Sequence, residues 1–255
     1  MANIIAIAHK ELRAYFVSPI AYVLFVFFAL LFGFFYISSL NFMLQVSSMG
    51  PEMGGPQTVN INEFMIRPLF GNTAIILLFL LPMLTMRAYA EETRSGTMEL
   101  LLTSPLSDVQ IIMGKFLGAI ALYGAMLALT LVHVGVLFWY GEPEWRPLLS
   151  GYLGLLLMGG SFISIGLAIS SMTKNQIVAG VATFAVCLLF WIINWIGDAS
   201  GTTAQAVLSY LSILEHFDDF AKGVIDTTHV TYYLSFIGLG LFLTAKSLDT
   251  QRWNG

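Results

Sequence analysis

Charged residues crowd into one short stretch of this chain, EETRSGTMELLLTSP at residues 91–105, which lies between two long apolar segments. Gly96 interrupts the helical pattern, and Ser104 followed by Pro105 has the residue types of a helix N-cap and first helical position. The stretch therefore predicts a helix, a glycine break, a short second helix and a capped third one. Such a charged elbow suits the binding of a soluble partner and the transmission of force into both flanking segments. A solvated turn is the alternative.

The sequence contains none of the common motifs for nucleotide binding or hydrolysis: no G-x-x-x-x-G-K-[ST] loop, no H-E-x-x-H and no G-x-S-x-G. His133 lies in an apolar segment and is expected to be a hydrogen-bonding partner between helices. His216 and His229, with Asp218 and Asp219, offer metal-ligand types, but no spacing fixes their geometry, so a solvated face is favoured. We expect no catalytic, cofactor-binding or metal-binding residue on this chain.

The composition is that of an integral membrane protein. Of 255 residues, 57% are hydrophobic and only 10% are charged, whereas soluble domains carry about a quarter charged residues. So few charges would not cover the surface of a soluble protein of this length. The net charge of -4 gives no reason to expect nucleic acid as a partner, and the single cysteine, Cys187, excludes an intrachain disulfide.

Six windows of predominantly apolar residues have the length of membrane-spanning helices, which is about 20 residues. None contains a charged residue, and Pro82 predicts a kink in the second. Because ion-driven carriers keep ionisable side chains inside their spans, we expect the energy for any transport to come from a partner. Residues 41–66, rich in Gly, Pro and Met, are expected to form an irregular loop. The windows are residues 19–40, 68–86, 116–140, 147–172, 176–197 and 230–245.

The distribution of lysine and arginine predicts the orientation of the spans. With both termini in the cytoplasm, eight of the 11 basic residues fall on the cytoplasmic side and three on the outer side. Cytoplasmic loops of membrane proteins carry such an excess. Residues 91–105 are therefore predicted to be cytoplasmic, and residues 198–229 are predicted to lie outside.

The segment before the first window, residues 1–18, has an amphipathic helical pattern. Apolar side chains recur at helical spacing, whereas Lys10 and Arg13 fall elsewhere. Such a helix lies in the membrane interface, with its basic side toward anionic headgroups. Ser18 followed by Pro19 predicts its end, because the residue before a proline avoids the helical region; a plain extension of the first span is the alternative. The apolar positions are Ile4, Ile5, Ala8, Leu12, Tyr15 and Phe16.

Residues 198–229 carry a second amphipathic pattern, in which charged side chains lie between apolar ones. This pattern predicts one or two short helices at the outer leaflet or dipping into it. The apolar stripe consists of Val207, Leu211, Leu214, Phe217, Phe220 and Val224.

Small residues recur every four positions in the fourth window, at Gly160, Ser164 and Ala168. This spacing allows another helix to approach closely. It predicts ordinary helix packing within the chain, with a subunit interface as the alternative.

Three motifs, in this order along the chain, carry a resemblance to a known family. KELRAYFVSPIAYV begins at Lys10, EETRSGTMELLLTSP at Glu91 and LEHFDDFAKGVIDT at Leu214. The sequence resembles the ABC-2 type permease subunit of ABC exporters, within the gliding-motility-associated branch, which also occurs in bacteria that do not glide. The likeness covers nearly the whole chain. It implies one all-α domain, residues 1–255, with an interfacial helix, six transmembrane helices, cytoplasmic termini and short outer helices before the last span.

The resemblance also implies partners. A permease of this family pairs with a cytoplasmic ABC ATPase dimer, which binds ATP and Mg²⁺, so this chain would hold no cofactor and would not itself be an enzyme. A second permease copy or related membrane subunit would complete the pathway. An auxiliary subunit with a periplasmic domain is typical of this branch. The assembly would lie in the inner membrane of a bacterium.

By position, the resemblance assigns roles to three groups of residues. The first intracellular loop, residues 87–115, would carry the coupling helix that contacts the ATPase, the interfacial helix would lie beside the ATPase, and residues 204–226 would close the outer end of the pathway. The coupling residues are Glu91, Glu92, Arg94, Gly96, Thr97, Glu99 and Ser104; the interfacial residues are Lys10, Glu11 and Arg13; the outer-gate residues are Val207, Leu211, Leu214, Phe217 and Phe220.

Two other functions stay open on the sequence. One is a non-transporting, mechanotransducing membrane anchor that uses the same ATPase to move a periplasmic partner. The other is a self-sufficient secondary carrier, although uncharged spans and the absence of sequence symmetry between the two halves count against it. No residue pattern identifies a substrate.

Overall fold

The computed structural model describes residues 2–49, 60–198 and 202–254. Within these ranges the ordered elements are helices, and no strand occurs among the described residues. A π-helical segment, Asn62–Ile66, leads directly into the third α-helix. The α-helices are α1 (Ala2–Val17), α2 (Pro19–Ser48), α3 (Arg67–Thr85), α4 (Ala90–Ser95), α5 (Met98–Leu102), α6 (Asp108–Tyr140), α7 (Trp145–Ser171), α8 (Gln176–Asp198), α9 (Thr202–Leu211), α10 (Ile213–Ala221) and α11 (Thr227–Asn254).

Six helical stretches are long and apolar enough to cross a membrane, which confirms the predicted number of spans and the all-α class. Several extend beyond the apolar windows, because a helix continues through polar residues until a cap or a breaker ends it. The third differs most at its start: α6 begins at Asp108, so Lys115 lies inside the helix. The stretches are Pro19–Ser48, Asn62–Ser95, Asp108–Tyr140, Trp145–Ser171, Gln176–Trp195 and Thr227–Arg252.

The expectation of an irregular loop over residues 41–66 is wrong at both ends. Helix α2 continues to Ser48, and Asn62–Ile66 is helical and continuous with α3. Met, Leu and Gln at positions 43–45 are good helix formers, so the helix does not end with the apolar run. The Gly- and Pro-rich residues 50–59 lie outside the described residues.

The predicted break between the first two helices is confirmed at Ser18, and a plain extension of the first span is wrong. Ser18 has an extended backbone, its Oγ accepts a hydrogen bond from the Ile20 amide at 3.4 Å, and Pro19 is the first residue of α2. Serine at the N-cap and proline at the first helical position both favour a new helix start here. The break lets α1 turn away from the line of α2.

Helix α1 packs closely against α6, because α6 presents two glycines to it. A β-carbon on Gly114 would lie 2.5 Å from Ile7 Cβ, and one on Gly118 would lie 2.8 Å from Glu11 Cβ. The predicted apolar face is divided: Leu12 and Tyr15 pack against the core, whereas Ile5 and Phe16 remain exposed and are free to contact a membrane interface. Ile7, which is not among the predicted positions, is the residue of α1 buried against α6.

Helix α7 lies at the centre of the bundle, with 78% of its most apolar window buried. The predicted close contact at its small residues is confirmed, and it is a contact within the chain. A β-carbon on Gly160 would lie 3.0 Å from Ile237 of α11, and one on Gly240 of α11 would lie 2.5 Å from Ser164 Oγ. Because α11 covers these positions, they are not available as a subunit interface. Helix α10 packs near the start of α7 and α4 near its end, so these two short helices mark opposite ends of the bundle.

We predict that Gly114→Ala weakens the attachment of α1 to α6. The added carbon would lie 2.5 Å from Ile7 Cβ, and relieving such overpacking costs about 1–3 kcal/mol. The melting temperature of the purified chain in lipid nanodiscs should therefore fall. Gly124→Ala, on the same helix with nothing within 4 Å of the added carbon, is the matched control and should not lower it, since alanine is the better helix former. Equal destabilisation by both substitutions would contradict close packing at Gly114.

Candidate functional site

A buried lysine joins three helices at the α4 end of the bundle. The side chain of Lys115 on α6 is only 2% exposed. Its Nζ donates to Glu11 Oε1 of α1 at 3.0 Å, to Glu92 Oε1 of α4 at 2.9 Å and to the Ala88 carbonyl at 2.8 Å. A lysine ammonium has three donors, and here each has an acceptor. We call Lys115, Glu11 and Glu92 the lysine cluster.

The surroundings of the lysine cluster compensate the cost of burying its charges. Burying an ammonium ion in a protein interior costs on the order of several kcal/mol unless acceptors and opposite charges surround it. The Tyr89 ring centroid lies 4.9 Å from Lys115 Nζ, a cation–π distance. Lys10 Nζ lies 3.9 Å from one oxygen of Glu11 and of Glu92, which adds a second positive charge beside the two carboxylates. The cluster with Lys10 is therefore electrically balanced.

A second ion pair links α4 to the break between α1 and α2. Arg87 Nε and Nη2 donate to the two carboxylate oxygens of Glu91 at 2.7 and 2.9 Å, and Arg87 Nη1 donates to Ser18 Oγ at 3.2 Å. Such a bidentate pair fixes the orientation of both side chains. A movement of α4 would therefore also displace the start of α2.

Helix α7 holds the start of α4 through one serine. Ser170 Oγ accepts hydrogen bonds from the Tyr89 and Ala90 amides at 3.1 Å and donates to the Met86 carbonyl at 3.1 Å. It thus satisfies amides at a helix N-terminus as an N-cap side chain would, but from another helix. Helix α3 ends at Thr85, and a turn precedes α4.

The predicted elbow is present, with Gly96 at its break. Gly96 has a φ of 73°, which non-glycine residues rarely adopt, and it separates α4 from α5. Arg94, Thr97 and Glu99 are exposed around it, and Leu100 of α5 is 71% exposed. The elbow therefore presents both charged and apolar side chains to whatever lies beyond this end of the bundle.

The predicted N-cap at Ser104 is wrong. Helix α6 begins at Asp108 and is capped by Ser107, whose Oγ accepts from the Gln110 amide while the Gln110 side chain accepts from the Ser107 amide. This reciprocal capping box satisfies the amides of Ser107 and Gln110, whereas the residue three positions after Ser104 is a serine and not the Glu or Gln that completes such a box.

A cavity of about 170 Å³ lies beside the lysine cluster, between α1, α2 and α3. Leu24, Met83 and Leu84 form its apolar wall, and Tyr15 lines it from α1. Burial raises the pKa of Tyr15 above its ordinary value, and the carboxylate of Glu11 adds to that rise. Open space here lets the side chains of α1 and α4 rearrange without disrupting the packed core.

Comparison with protein families gives the identity. A family model described as ABC-2 family transporter protein matches residues 5–244. The chain belongs to this family. It is also similar to the "Probable multidrug ABC transporter permease YbhR" of Escherichia coli strain K12, with 28% identity over 144 residues, and to the protein of the same name in Escherichia coli O157:H7. That match covers 55% of this chain and 38% of the relative, so the chain spans less than half the length of the curated relatives it matches. The predicted family is confirmed, and neither comparison supports the gliding-motility branch.

The structure brings one predicted interfacial residue and one predicted coupling residue of this ABC-2 protein together. Glu11 of the interfacial helix and Glu92 of the elbow bind the same ammonium group, whereas Arg13 and Arg94 remain exposed. Sequence analysis did not single out Lys115, because it stands just before the apolar window and was used only to orient the span. The sequence signal that could have identified Lys115 was its position between Gly114 and Gly118. Because α1 packs on these two glycines, a long side chain between them contacts that helix.

The outer-gate residues do not form one continuous stripe. Phe217 and Phe220 are buried against Gly154 of α7, whereas Val207 and Leu211 are exposed. The stripe divides because α9 and α10 are separate helices, and Ser212 caps the second. The buried face of α10 is Ile213, His216, Phe217, Phe220 and Ala221.

The solvated face predicted for His216 is wrong. Its relative exposure is 4%, because it lies one turn from Ile213 and Phe220 on the packed side of α10. Among the described residues, no group of three or more His, Cys, Asp or Glu side chains is arranged to hold a metal ion.

We predict that Lys115→Met lowers the free energy of unfolding by about 3 kcal/mol, since it removes the ammonium group that lies between two largely buried carboxylates and leaves them only the more distant Lys10. Thermal unfolding in nanodiscs would measure this change. Lys174→Met, at an exposed lysine, is the matched control and should have little effect. Adding Glu11→Gln and Glu92→Gln to Lys115→Met should recover part of the loss, because the unpaired charges are then removed. If Lys115→Met and Lys174→Met are indistinguishable, the cluster contributes nothing to stability.

Proposed function

We propose that this ABC-2 protein is the transmembrane permease subunit of an ABC exporter, driven by ATP hydrolysis on a separate cytoplasmic ATPase dimer. The observation that carries the proposal is the lysine cluster, which joins the exposed elbow, the interfacial helix and a membrane-spanning helix through one ammonium group. ATP and Mg²⁺ would bind to the partner. ATP hydrolysis would therefore take place on the partner, and this chain would convert the energy released into helix movement.

The proposed contact surface for the ATPase is the outer side of the elbow, around Arg94, Glu99 and Leu100. Leu100 offers an apolar anchor and the two charged residues a polar rim, which is the usual arrangement of a protein interface. Glu92, in contrast, is turned inward to Lys115. A substitution of Glu92 would therefore test the link inside the protein rather than the contact with the ATPase.

Three connections would carry movement of the elbow into the spans. Glu92 links it to α6 through Lys115, Ser170 links it to α7, and Arg87 links it to the start of α2. A load applied at α5 would thus reach several spanning helices together. This supports ATP-driven rearrangement of the bundle rather than a docking role for one isolated loop.

The two alternative functions differ in what they require of these residues. An ion-driven carrier needs an ionisable group that can change its charge or partner within a span. Lys115 is buried near a helix end with all three donors used, which does not suit that role. A mechanotransducing anchor would use the same links as an exporter, and ATP-dependent movement of a substrate into or out of reconstituted vesicles would distinguish the two.

The other partners and the location follow from the family and from exposed apolar surface. Helices α2, α8 and α11 each have only 22% of their most apolar window buried, which leaves surface for lipid and for a second permease copy. We place the assembly in a bacterial cytoplasmic membrane, with both termini inside. Membership of the gliding-motility branch and an auxiliary periplasmic subunit stay predictions.

We predict that a photoreactive benzoylphenylalanine at position 100 crosslinks to a nucleotide-binding subunit when the complex is purified from its native membrane. The exposed Leu100 side chain should lie in that contact. The crosslinked partner would be identified by mass spectrometry and by its labelling with azido-ATP. The same residue at Glu142, in the turn between α6 and α7 at the other end of the bundle, is the control. Crosslinking of the ATPase from position 142 and not from position 100 would contradict the proposed surface.

We predict the orientation of the bundle from single cysteines in a Cys187→Ser background. Ser95→Cys should be shielded from a membrane-impermeant thiol reagent added to intact cells, and Glu142→Cys should react. Cys187 is the single cysteine of the sequence, so its replacement by serine removes any background labelling. The readout is the labelled fraction before and after the cells are opened. Labelling of residue 95 from outside would contradict the cytoplasmic elbow.

A further inference from the structure

Two histidines at the α10 end of the bundle belong to one chain of hydrogen-bonding atoms. The Nδ1 atoms of His216 on α10 and His229 on α11 are 2.6 Å apart. His216 Nε2 lies 2.9 Å from the Tyr210 carbonyl oxygen on α9, and His229 Nε2 lies 2.9 Å from Asp219 Oδ2. The chain therefore connects α9, α10 and α11.

The number of protons required by these contacts can be counted. A carbonyl oxygen only accepts, so His216 Nε2 must carry hydrogen, and an ionised Asp219 likewise requires hydrogen on His229 Nε2. The short contact between the Nδ1 atoms requires one more hydrogen, on either ring. The pair thus needs three protons, whereas two neutral imidazoles carry two. Completing all three hydrogen bonds gives the pair one positive charge.

The two rings of this charged pair have different environments. His216 is buried and stacks on Tyr232 with ring centroids 3.8 Å apart. Burial lowers the pKa of His216, although its hydrogen bond to the Tyr210 carbonyl opposes this. The counter-charge for the pair is the carboxylate of Asp219, whose Oδ2 lies 2.9 Å from His229 Nε2.

The charged groups around the pair are themselves partnered. Lys222 Nζ lies 3.5 Å from Asp219 Oδ1 and also pairs with Asp218, which receives Arg67 Nη2 from α3 at 2.7 Å. Burial alone would raise the pKa of Asp218, but hydrogen bonds from Lys222 and Arg67 hold it below its ordinary value. Asp226, before α11, adds a negative charge near His229. On α10, Glu215 pairs with Asn194 of α8, and from α11 the uncharged Tyr232 and Tyr233 face His216.

We propose that His216 and His229 form a binding site for one exchangeable proton, and that this proton holds α9 and α10 against α11. The joined arrangement holds one proton more than two separated, neutral histidines, so above about pH 6.5, where separated histidines are mostly neutral, raising the pH weakens the joined arrangement. Below about pH 6.5 the separated rings take up protons themselves, so we expect the weakening between about pH 6.5 and 8.5. The site lies at the opposite end of the bundle from the lysine cluster, and its test does not depend on the ATPase.

Amide hydrogen exchange of the full chain in lipid nanodiscs tests this proposal. Exchange would be measured by mass spectrometry at pH 6.5, 7.5 and 8.5, with rates corrected for the intrinsic effect of pH, on peptides within residues 205–233. Protection there should fall by about tenfold in total across the range, since one proton cannot change it by more than about tenfold per pH unit. Peptides from the start of α6, residues 108–120, should keep constant corrected protection. The samples are measured in two parallel sets, one with EDTA to remove metal ions and one without it.

Variants separate the shared proton from other titrations. His216→Phe/His229→Phe should make protection of residues 205–233 independent of pH, and His229→Gln alone should do the same if the double variant does not fold. His9→Gln, at an exposed histidine on α1, is the matched control and should retain the full pH dependence. Three results would overturn the proposal: corrected protection is flat in the parent, it varies with pH in the histidine variants as in the parent, or it responds to pH only when EDTA is omitted.

Discussion

The ammonium group of Lys115 can be buried only while three separate segments stay together. Its acceptors come from α1, from α4 and from the turn before α4, and removing any of them would leave a charge or a polar atom without a partner in the interior. The interfacial helix can therefore stay on α6 only while the elbow stays beside α7, because both placements depend on the same ammonium group. Because the elbow cannot shift without changing the contacts of α6, a force applied to the elbow would reach this spanning helix.

The two ends of the bundle use charged groups in different ways. At the lysine cluster, the three donors of Lys115 each meet an acceptor, so the ammonium group is fully partnered as it stands. At the histidine pair, the same kind of count leaves two neutral rings one proton short of a complete network. The first end thus suits constant mechanical attachment, and the second suits an attachment that responds to its surroundings. Both networks join helices that are distant in sequence, and neither lies in the apolar middle of the spans.

Local patterns in the sequence were enough for much of the fold. The apolar windows predicted the six spans, Ser18 followed by Pro19 predicted the first helix break, and Gly96 predicted the break in the elbow. These features depend on short-range steric preferences or on length, which a sequence carries directly. The cap at Ser107 was missed because Ser104 with Pro105 is also a good local signal, and only the Gln110 side chain decides between them.

The candidate site was less accessible to sequence reasoning, for a physical reason. Lys115 and Glu11 are 104 positions apart, and Lys115 and Glu92 are 23 apart, so only the packing of α1 and the turn before α4 bring them together. His216 was misjudged because a histidine among acidic residues looks solvated until the packed face of α10 is known. In each position the residue type suggested a role, but the partner was set by tertiary contacts.

The small residues along α7 have a mechanical consequence. Where a glycine leaves a gap on α7, a side chain of the neighbouring helix lies in that gap, so sliding one helix along the other requires this side chain to withdraw. Helix α11 touches α7 in this way at Gly160, where Ile237 lies against the glycine. Phe70, Tyr123 and Phe220 occupy the corresponding gaps at Gly151, Gly159 and Gly154, so any movement of the central helix along or around its axis must carry these rings with it.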